Sequence, residues 1–115
     1  MKNILILALI LFLSACGAKM MELSNADAER GASKFPGLTM TELTHGKAQY
    51  EKNCQSCHGL YAPGSKNEMQ WRLIVPAMVN KANKKMGKME VPIDSANQQS
   101  ILKYVITMGT APVKK

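Results

Sequence analysis

The chain has 115 residues, enough for one domain at about 100–200 residues per domain. Apolar residues at 46% and charged residues at 20% exclude a disordered chain, and three cysteines are too few for a scaffold held by disulfides. The net charge of +7 favours acidic partners or membrane surfaces. Because only 5% of the residues are aromatic, an aromatic-rich core is not expected, and another group is expected to fill the centre.

The amino terminus has the pattern of an export signal. After a short basic start, Ile4 to Leu13 form an uninterrupted apolar run, too short for a bilayer-spanning helix of about 20 residues. Small residues after such a run are typical of a secretory signal peptide. Residues 13–16, Leu-Ser-Ala-Cys, resemble the lipobox of bacterial lipoproteins. The resemblance implies acylation of Cys16 with diacylglycerol and cleavage before it; the alternative is an ordinary signal peptide with a cysteine near the cut.

These features predict an extracytoplasmic lipoprotein anchored on the periplasmic side of the inner or the outer membrane. Residues 1–15 are then the signal peptide, and more than one acyl chain on Cys16 would give stable anchoring. Residues 16–39 show no sustained helical or strand period, and a short helical turn from Asn25 to Ser33 has no apolar face to support it. We therefore predict a flexible tether over residues 16–39 that could hold the folded domain, residues 40–115, well off the bilayer.

A helix and then a cysteine motif open the predicted domain. The helix is expected to begin with Thr41 or Thr44 as its N-cap and to end near residue 54. Cys54, Cys57 and His58 then form the sequence C-x-x-C-H, the attachment signature of c-type haem. Two thiols three residues apart on one helical turn can reach two vinyl groups on one edge of the macrocycle, and the next residue places an imidazole under the iron.

Three other interpretations of the two cysteines are less consistent with the sequence. A thioredoxin-like redox pair expects a βαβ pattern nearby and gives His58 no role. A zinc site needs a second Cys/His pair, but only His45 and Cys16 remain. A disulfide between Cys54 and Cys57 would be a strained, isolated ring. We therefore predict one covalent haem c with its iron, which would also supply the large apolar body that the few aromatic residues cannot.

Two further helices are predicted after the motif. A loop from Gly59 to Lys66 precedes a run of apolar residues at helical spacing, which are Trp71, Ile74, Val75, Met78, Val79 and Ala82. Pro76 lies inside this run, so the helix either kinks or breaks there, and we predict a kink. After a loop over residues 86–92, Ser95 and Gln98 form a capping-box pattern, and Gly109 ends the last helix. No segment alternates like a strand, so the fold class is all-α.

The motif and the two flanking helices resemble the small, single-haem, class I-like members of the cytochrome c family. The residues that carry the resemblance are Leu43, Gly46, Tyr50 and Asn53 before Cys54, and Ile101, Leu102, Tyr104, Val105 and Ile106 in the last helix. The resemblance implies a compact fold of three main helices around one haem. It also implies that Gly46 lets Tyr104 approach closely where the first and last helices cross, and that Gly46, Tyr50, Trp71, Ile74 and Tyr104 pack around the haem.

The second axial ligand of the iron is a methionine in most of this family, which raises the reduction potential relative to a second histidine. Trp71-x-x-x-Val75-x-x-Met78 resembles the helix that presents this ligand in compact members, so Met78 is predicted to bind the iron opposite His58. The ordinary explanation of Met78 is a core methionine on a helical stripe. Met89 and Met86 are the alternative ligands, and His45 would make a bis-histidine iron.

The predicted function is electron transfer without catalysis of a substrate reaction. Lysines at 81, 84, 85 and 88 could steer acidic redox protein partners to the haem edge, although such a run is usually only a solvated surface. The alternatives are a haem-bearing subunit of a larger membrane redox complex, or a haem enzyme or gas sensor with an open iron site, for which Arg72 is the one weak distal candidate. Export and the haem propionates argue against nucleic-acid binding, and no small-molecule substrate is expected.

Overall fold

A computed structural model describes residues 21–54, 59–85 and 92–111, and these ranges are helical with no strand. The elements are α1 (Asn25–Ala32), α2 (Met40–Cys54), a short 3₁₀ turn (Pro63–Ser65), α3 (Glu68–Lys85) and α4 (Ser95–Gly109). Over these three ranges the all-α prediction is confirmed, with four helices where three main helices were expected. In the described ranges, none of the helices has both the length and the apolar character needed to cross a bilayer. The predicted signal peptide, Cys16, Cys57, His58, Met86, Lys88 and Met89 lie outside the described residues.

Helix α4 is the centre of the fold, and each of the other four elements packs against it. It buries seven residues, which are Ile101, Leu102, Tyr104, Val105, Ile106, Thr107 and Met108. Its N-cap is Asp94, whose side-chain oxygen accepts the Asn97 backbone N–H at 2.8 Å. The predicted cap at Ser95 is therefore wrong by one residue, because the carboxylate of Asp94 accepts the free backbone N–H of Asn97. The helix ends at Gly109 as predicted.

Helices α2 and α4 meet at a glycine. A Cβ atom added to Gly46 would lie 2.2 Å from the carbonyl oxygen of Ser100 and 2.9 Å from the Cβ of Tyr104. The predicted approach of Tyr104 to Gly46 is therefore confirmed. Helix α2 begins earlier than predicted, because the hydroxyl of Thr39 accepts the Glu42 backbone N–H at 3.1 Å and so takes the capping role expected of a later threonine.

Helix α3 continues through Pro76 as one helix, so the alternative of a break is wrong. Proline removes one backbone N–H, but Pro76 is exposed, so the carbonyl left without its helical donor is on the solvent side. The buried residues of α3 are Trp71, Val75 and Val79, which confirms the apolar stripe. The helix begins at a reciprocal cap in which Asn67 and Gln70 each donate a backbone N–H to the other's side-chain oxygen, at 2.9 and 2.8 Å.

Helix α1 overturns part of the tether prediction, because residues 25–39 are folded against the domain. The side chain of Arg30 donates to the Asp27 carboxylate at 2.7 Å and to the Thr107 carbonyl of α4 at 3.1 Å. Gly31 faces Thr107 closely, and Leu38 is only 7% exposed. No apolar stripe is visible in the sequence here, because α1 is held by a glycine contact and by the hydrogen bond from Arg30 to α4 rather than by large apolar side chains of its own.

Asp27 makes the docking of α1 sensitive to acid. Burial raises the pKa of its carboxyl, but the hydrogen bonds from Arg30 and Ser24 outweigh burial and leave the pKa below its usual value. A carboxyl with a depressed folded-state pKa stabilises the fold above its unfolded pKa of about 3.9, and this stabilisation is lost as the pH falls through the folded pKa.

Replacing Asp27 with asparagine is therefore expected to lower the free energy of unfolding at pH 7 by about 1 kcal/mol and to flatten its decline below pH 4. Urea unfolding followed by far-UV circular dichroism from pH 2 to pH 7 measures both effects. Glu29→Gln removes the same charge from an exposed position of α1 and is the matched control. Equal pH profiles for the two variants would contradict the role given to Asp27.

Candidate cofactor site

A cavity opens between the last turns of α2, the segment after Gly59 and the inner face of α3. It contains about 20 Å³ of space that a water molecule could enter, and it is lined by Tyr50, Cys54, Leu60, Tyr61, Trp71, Ile74, Val75, Met78, Val79 and Ile101. No charged side chain is among these ten. The cavity is therefore a small apolar space with a cysteine and a methionine on its walls.

A second recess adjoins the first and is more polar. It holds about 430 Å³ and shares Cys54, Tyr61, Met78 and Val79 with the first cavity. Its other lining residues are Asn53, Lys81, Ala82 and Ile93. The volume of this recess falls within the range of ligand pockets, about 300–1,000 Å³. We call the two spaces together the hollow.

The structure brings several of the predicted site residues together on the hollow and leaves two of them elsewhere. Cys54, the last residue of α2, and Met78 of α3 line both of its parts, and Tyr50, Trp71 and Ile74 line the first. Gly46 and Tyr104 do not line the hollow, since they form the crossing of α2 with α4. Cys57 and His58 follow Cys54 directly in the chain, outside the described residues.

An aromatic cluster supports one wall of the hollow. The ring of Tyr50 lies edge-on to Trp71 at a centroid distance of 6.1 Å and tilted against Tyr104 at 5.7 Å. The Tyr50 hydroxyl donates to the Tyr61 carbonyl at 2.6 Å, and the Trp71 indole N–H donates to the Pro63 carbonyl at 2.8 Å. The polar groups of both rings are thus hydrogen-bonded to the segment between the cysteine motif and α3, and they fix that segment. The apolar surfaces of the rings face inward.

The tyrosines of this cluster stay uncharged over the physiological pH range. Burial, with a smaller contribution from Cys54, raises the pKa of Tyr50 well above its ordinary value of 10. Burial also raises the pKa of Tyr104, to about 12. The wall of the hollow that Tyr50 supplies is therefore neutral, and its phenol keeps the proton that it donates to Tyr61.

Sequence reasoning missed the residues that close the far side of the hollow. The Asn83 amide donates to the Ile93 carbonyl at 3.0 Å, and its oxygen accepts the Ile93 backbone N–H at 2.8 Å. This pair of bonds, the Asn83–Ile93 bridge, holds the chain just before α4 against the last turn of α3, with the Ile93 side chain on the wider recess. Nothing in the sequence distinguishes Asn83 from the other asparagines near it. Leu60, Tyr61 and Ala82 were likewise not predicted as lining residues.

Removing the Asn83–Ile93 bridge is expected to destabilise the protein. Asn83→Ala leaves a half-buried backbone N–H and carbonyl without their partners, and we expect the free energy of unfolding to fall by about 2 kcal/mol in urea. Asn83→Asp keeps the acceptor and loses the donor, so its effect should be intermediate. Asn80→Ala, on the exposed face one turn earlier, is the matched control and should change stability by less than about 0.5 kcal/mol. An equal loss in the Asn80 variant would contradict the bridge.

Two residues considered for chemistry at the iron do not line the hollow. His45 is exposed, and its Nε2 lies 2.8 Å from the Asn97 side-chain oxygen of α4. Arg72 is also exposed, and its guanidinium bonds to Glu68 at 2.8 and 3.0 Å. Within residues 21–54, 59–85 and 92–111, no three His, Cys, Asp or Glu side chains are grouped to bind a metal ion.

Comparisons with protein-family models, with curated proteins and with solved structures found no match to this chain. Function is therefore inferred from the residues that line the hollow and from the motif that begins at its edge.

The residues of the hollow fit a covalently attached haem. Cys54 places the first thiol of C-x-x-C-H on the hollow, and Met78 places a thioether on it from the neighbouring helix. The first cavity has apolar walls, and Lys81 on the wider recess offers a positive charge that would suit the propionates. A thiol and a thioether on the hollow, with a second cysteine and a histidine next in the motif, are the ligand types of c-type haem.

Proposed function

We propose that the protein is a membrane-tethered, monohaem cytochrome c that transfers single electrons between extracytoplasmic redox partners. The observation that carries the proposal is the position of Cys54. The first cysteine of a haem-attachment motif lies on an apolar hollow that a methionine of the next helix also lines. A motif in an arbitrary place on the surface would offer neither the apolar walls nor a second ligand.

Each predicted ligand has a distinct role in this proposal. Cys54 and Cys57 would hold the haem through thioether bonds, and His58 would be one protein ligand of its iron. Met78 would be the second ligand, with Met89 and Met86 as the alternatives. The haem iron would supply a reversible one-electron couple. With two protein ligands the iron would have no position open to a substrate, so the protein would transfer only the electron.

The walls of the hollow set the conditions for that transfer. Trp71, Ile74 and Val75 exclude water from one side, and the phenol of Tyr50 stays neutral. A low dielectric around the iron disfavours the extra positive charge of its oxidised form, and a methionine ligand acts in the same direction, so both raise the reduction potential. The chain therefore tunes the potential through burial and ligand choice, without a charged group on the first cavity.

The proposed docking surface for partners is basic. Lys81 lines the wider recess, and Lys84 and Lys85 follow in the last turn of α3. Positive charge at the opening would attract acidic redox proteins and orient them toward the haem edge, and their association rate would fall as the salt concentration rises. The anchor on Cys16 would keep these encounters at the membrane surface.

The visible spectrum of the purified protein tests the proposal. We expect haem that stays attached under denaturing conditions, and a weak red-edge band from methionine bound to ferric iron. Met78→Ala should lose that band. Met69→Ala, on the same helix but 73% exposed and not on the hollow, should keep it and is the matched control.

Three other results would change the proposal. A band that survives in the Met78 variant would assign the ligand to Met89 or Met86. A high-spin ferric spectrum without the band would mean an open iron and would favour a haem enzyme or gas sensor. A purified protein without covalent haem would overturn the proposal altogether.

A further inference from the structure

The docking of α1 fixes the chain close to its proposed anchor. Ser24 is the N-cap of α1, and its backbone N–H and its hydroxyl bond to the Asp27 carboxylate at 2.8 and 3.0 Å. Arg30 then ties the helix to the Thr107 carbonyl of α4. From Ser24 onward the chain is therefore part of the folded domain, and only the residues before it remain to connect the domain to Cys16.

Helix α1 is seated too closely on α4 to be a loosely attached segment. A Cβ atom on Gly31 would lie 2.5 Å from the Leu38 side chain and 2.7 Å from the Thr107 hydroxyl. Leu38 and Thr107 are 7% and 0% exposed, so both are core residues that α1 helps to cover. Such a contact resists detachment, because releasing α1 would expose them to water.

The short connection limits how far the domain can move from the bilayer. Ser24 is eight residue steps beyond Cys16, and at about 3.6 Å per step this connection reaches at most about 29 Å. A free chain from Cys16 to Met40 would have 24 steps and could reach about 86 Å. We call the eight-step connection the leash.

Docking of α1 does not obstruct the hollow. Ile101, which lines it, and Thr107, which contacts α1, are six residues apart on α4. Six residues amount to one and two-thirds turns, so the two side chains leave the helix on different faces, about 9 Å apart along its axis. No residue of α1 is among the lining residues, and the cavity mouth stays accessible while the leash stays short.

We propose that docked α1 keeps the amino-terminal end of the domain within about 29 Å of the bilayer surface, and that its electron partner is a membrane-bound protein with an acidic surface close to the same bilayer. This inference rests on the proposed function. Two proteins held close to one bilayer share a thin layer, and their concentration in this layer falls as the layer becomes thicker. A threefold longer leash thickens the layer by up to about threefold, so it lowers this concentration by up to about threefold.

The distance to the bilayer is measured on the full-length, haem-loaded lipoprotein in phosphatidylcholine vesicles that contain a headgroup-labelled fluorescent lipid. The haem quenches this fluorescence only at short range. A Gly/Ser segment of about 16 residues inserted between Met21 and Glu22 triples the leash, and we expect severalfold less quenching. The same segment appended after Lys115 is the matched control and should quench like the original protein. Gly31→Leu, which releases α1 without adding chain, should behave like the insertion. Equal quenching by all four proteins overturns the confinement.

The partner class is tested in native membranes of the producing cell, by following reoxidation of the reduced haem. We expect a reaction slower by up to about threefold for the inserted variant and none of this loss for the appended control. An unchanged or faster rate overturns the assignment of a membrane-bound partner. Two measurements made beforehand test the proposed function separately. A protein without covalent haem, or one that stays in the aqueous phase during detergent phase separation, would contradict the proposed function. Either result would overturn the inference as well.

Discussion

Replacing Gly46 with alanine is expected to lower the free energy of unfolding by about 2 kcal/mol or more, although alanine is the better helix former by about 1 kcal/mol. The added methyl group would lie 2.2 Å from the carbonyl oxygen of Ser100 and 2.9 Å from its carbonyl carbon. Both are backbone atoms of α4, so no side-chain rotation relieves the overlap and the two helices must move apart. Separation of α2 from α4 also loosens the packing of Tyr104, which is 1% exposed.

Urea unfolding followed by far-UV circular dichroism measures this loss. Gly64→Ala is the matched control, because a Cβ at Gly64 in the 3₁₀ turn meets nothing within 4 Å. We expect the control to change the free energy of unfolding by less than about 0.5 kcal/mol. A Gly46 variant as stable as the Gly64 variant would mean that α2 and α4 do not cross at this residue.

Trp71→Ala is expected to destabilise the protein by about 3–5 kcal/mol, the largest effect of any single truncation in the wall of the hollow. The side chain is 2% exposed, packs edge-on against Tyr50 and donates its indole N–H to the Pro63 carbonyl. Its removal leaves a cavity between α3 and the aromatic cluster. It also frees the segment between the cysteine motif and α3, which the indole holds in place.

Two companion variants separate the causes of this loss. Trp71→Phe keeps a ring but leaves the Pro63 carbonyl without the indole N–H, so it should lose about 1–2 kcal/mol. Leu73→Ala truncates an apolar side chain of the same helix that is 70% exposed, and it should be nearly neutral. If the Leu73 variant unfolded as easily as Trp71→Ala, the inner and outer faces assigned to α3 would be wrong. Thermal and urea unfolding of the purified proteins give the comparison.

The sequence was sufficient to predict packing where a residue type has one dominant structural role. Gly46 inside a helix needs a close contact, and the contact with Tyr104 was predicted and is present. The stripe of Trp71, Val75 and Val79 predicted the buried face of α3 from its period alone. Helix starts were less predictable, because several capping residues stand near each other and only the folded backbone decides which of them is used.

Helix α1 was missed because its attachment depends on partners far away in the chain. Asp27 and Arg30 look like ordinary surface charges in the sequence, yet their bonds include the carbonyl of Thr107, 77 residues beyond Arg30. Gly31 looks like a tether residue, yet it permits the closest contact of α1 with α4. Periodicity measures large apolar side chains, so it does not detect a helix that docks through a glycine and a side-chain hydrogen bond to a backbone carbonyl.

The sequence indicated two residues that line the hollow and missed several that shape it. Cys54 and Met78 were named from a motif and a resemblance, and the structure places both on one hollow. Tyr61 and Ile93 reach it through loop backbone geometry. Loop geometry is set by hydrogen bonds such as those of Asn83, and no local sequence pattern predicts these bonds.

The Asn83–Ile93 bridge also bears on how the protein could be redesigned. Because the bridge bonds Ile93 directly to the last turn of α3, the two are held together by side-chain and backbone groups outside residues 86–91. Loop closure entropy rises only slowly with length, by about 0.6 kcal/mol for each doubling. We therefore expect residues 86–91 to accept changes of length or charge while α3 and Ile93 keep their places.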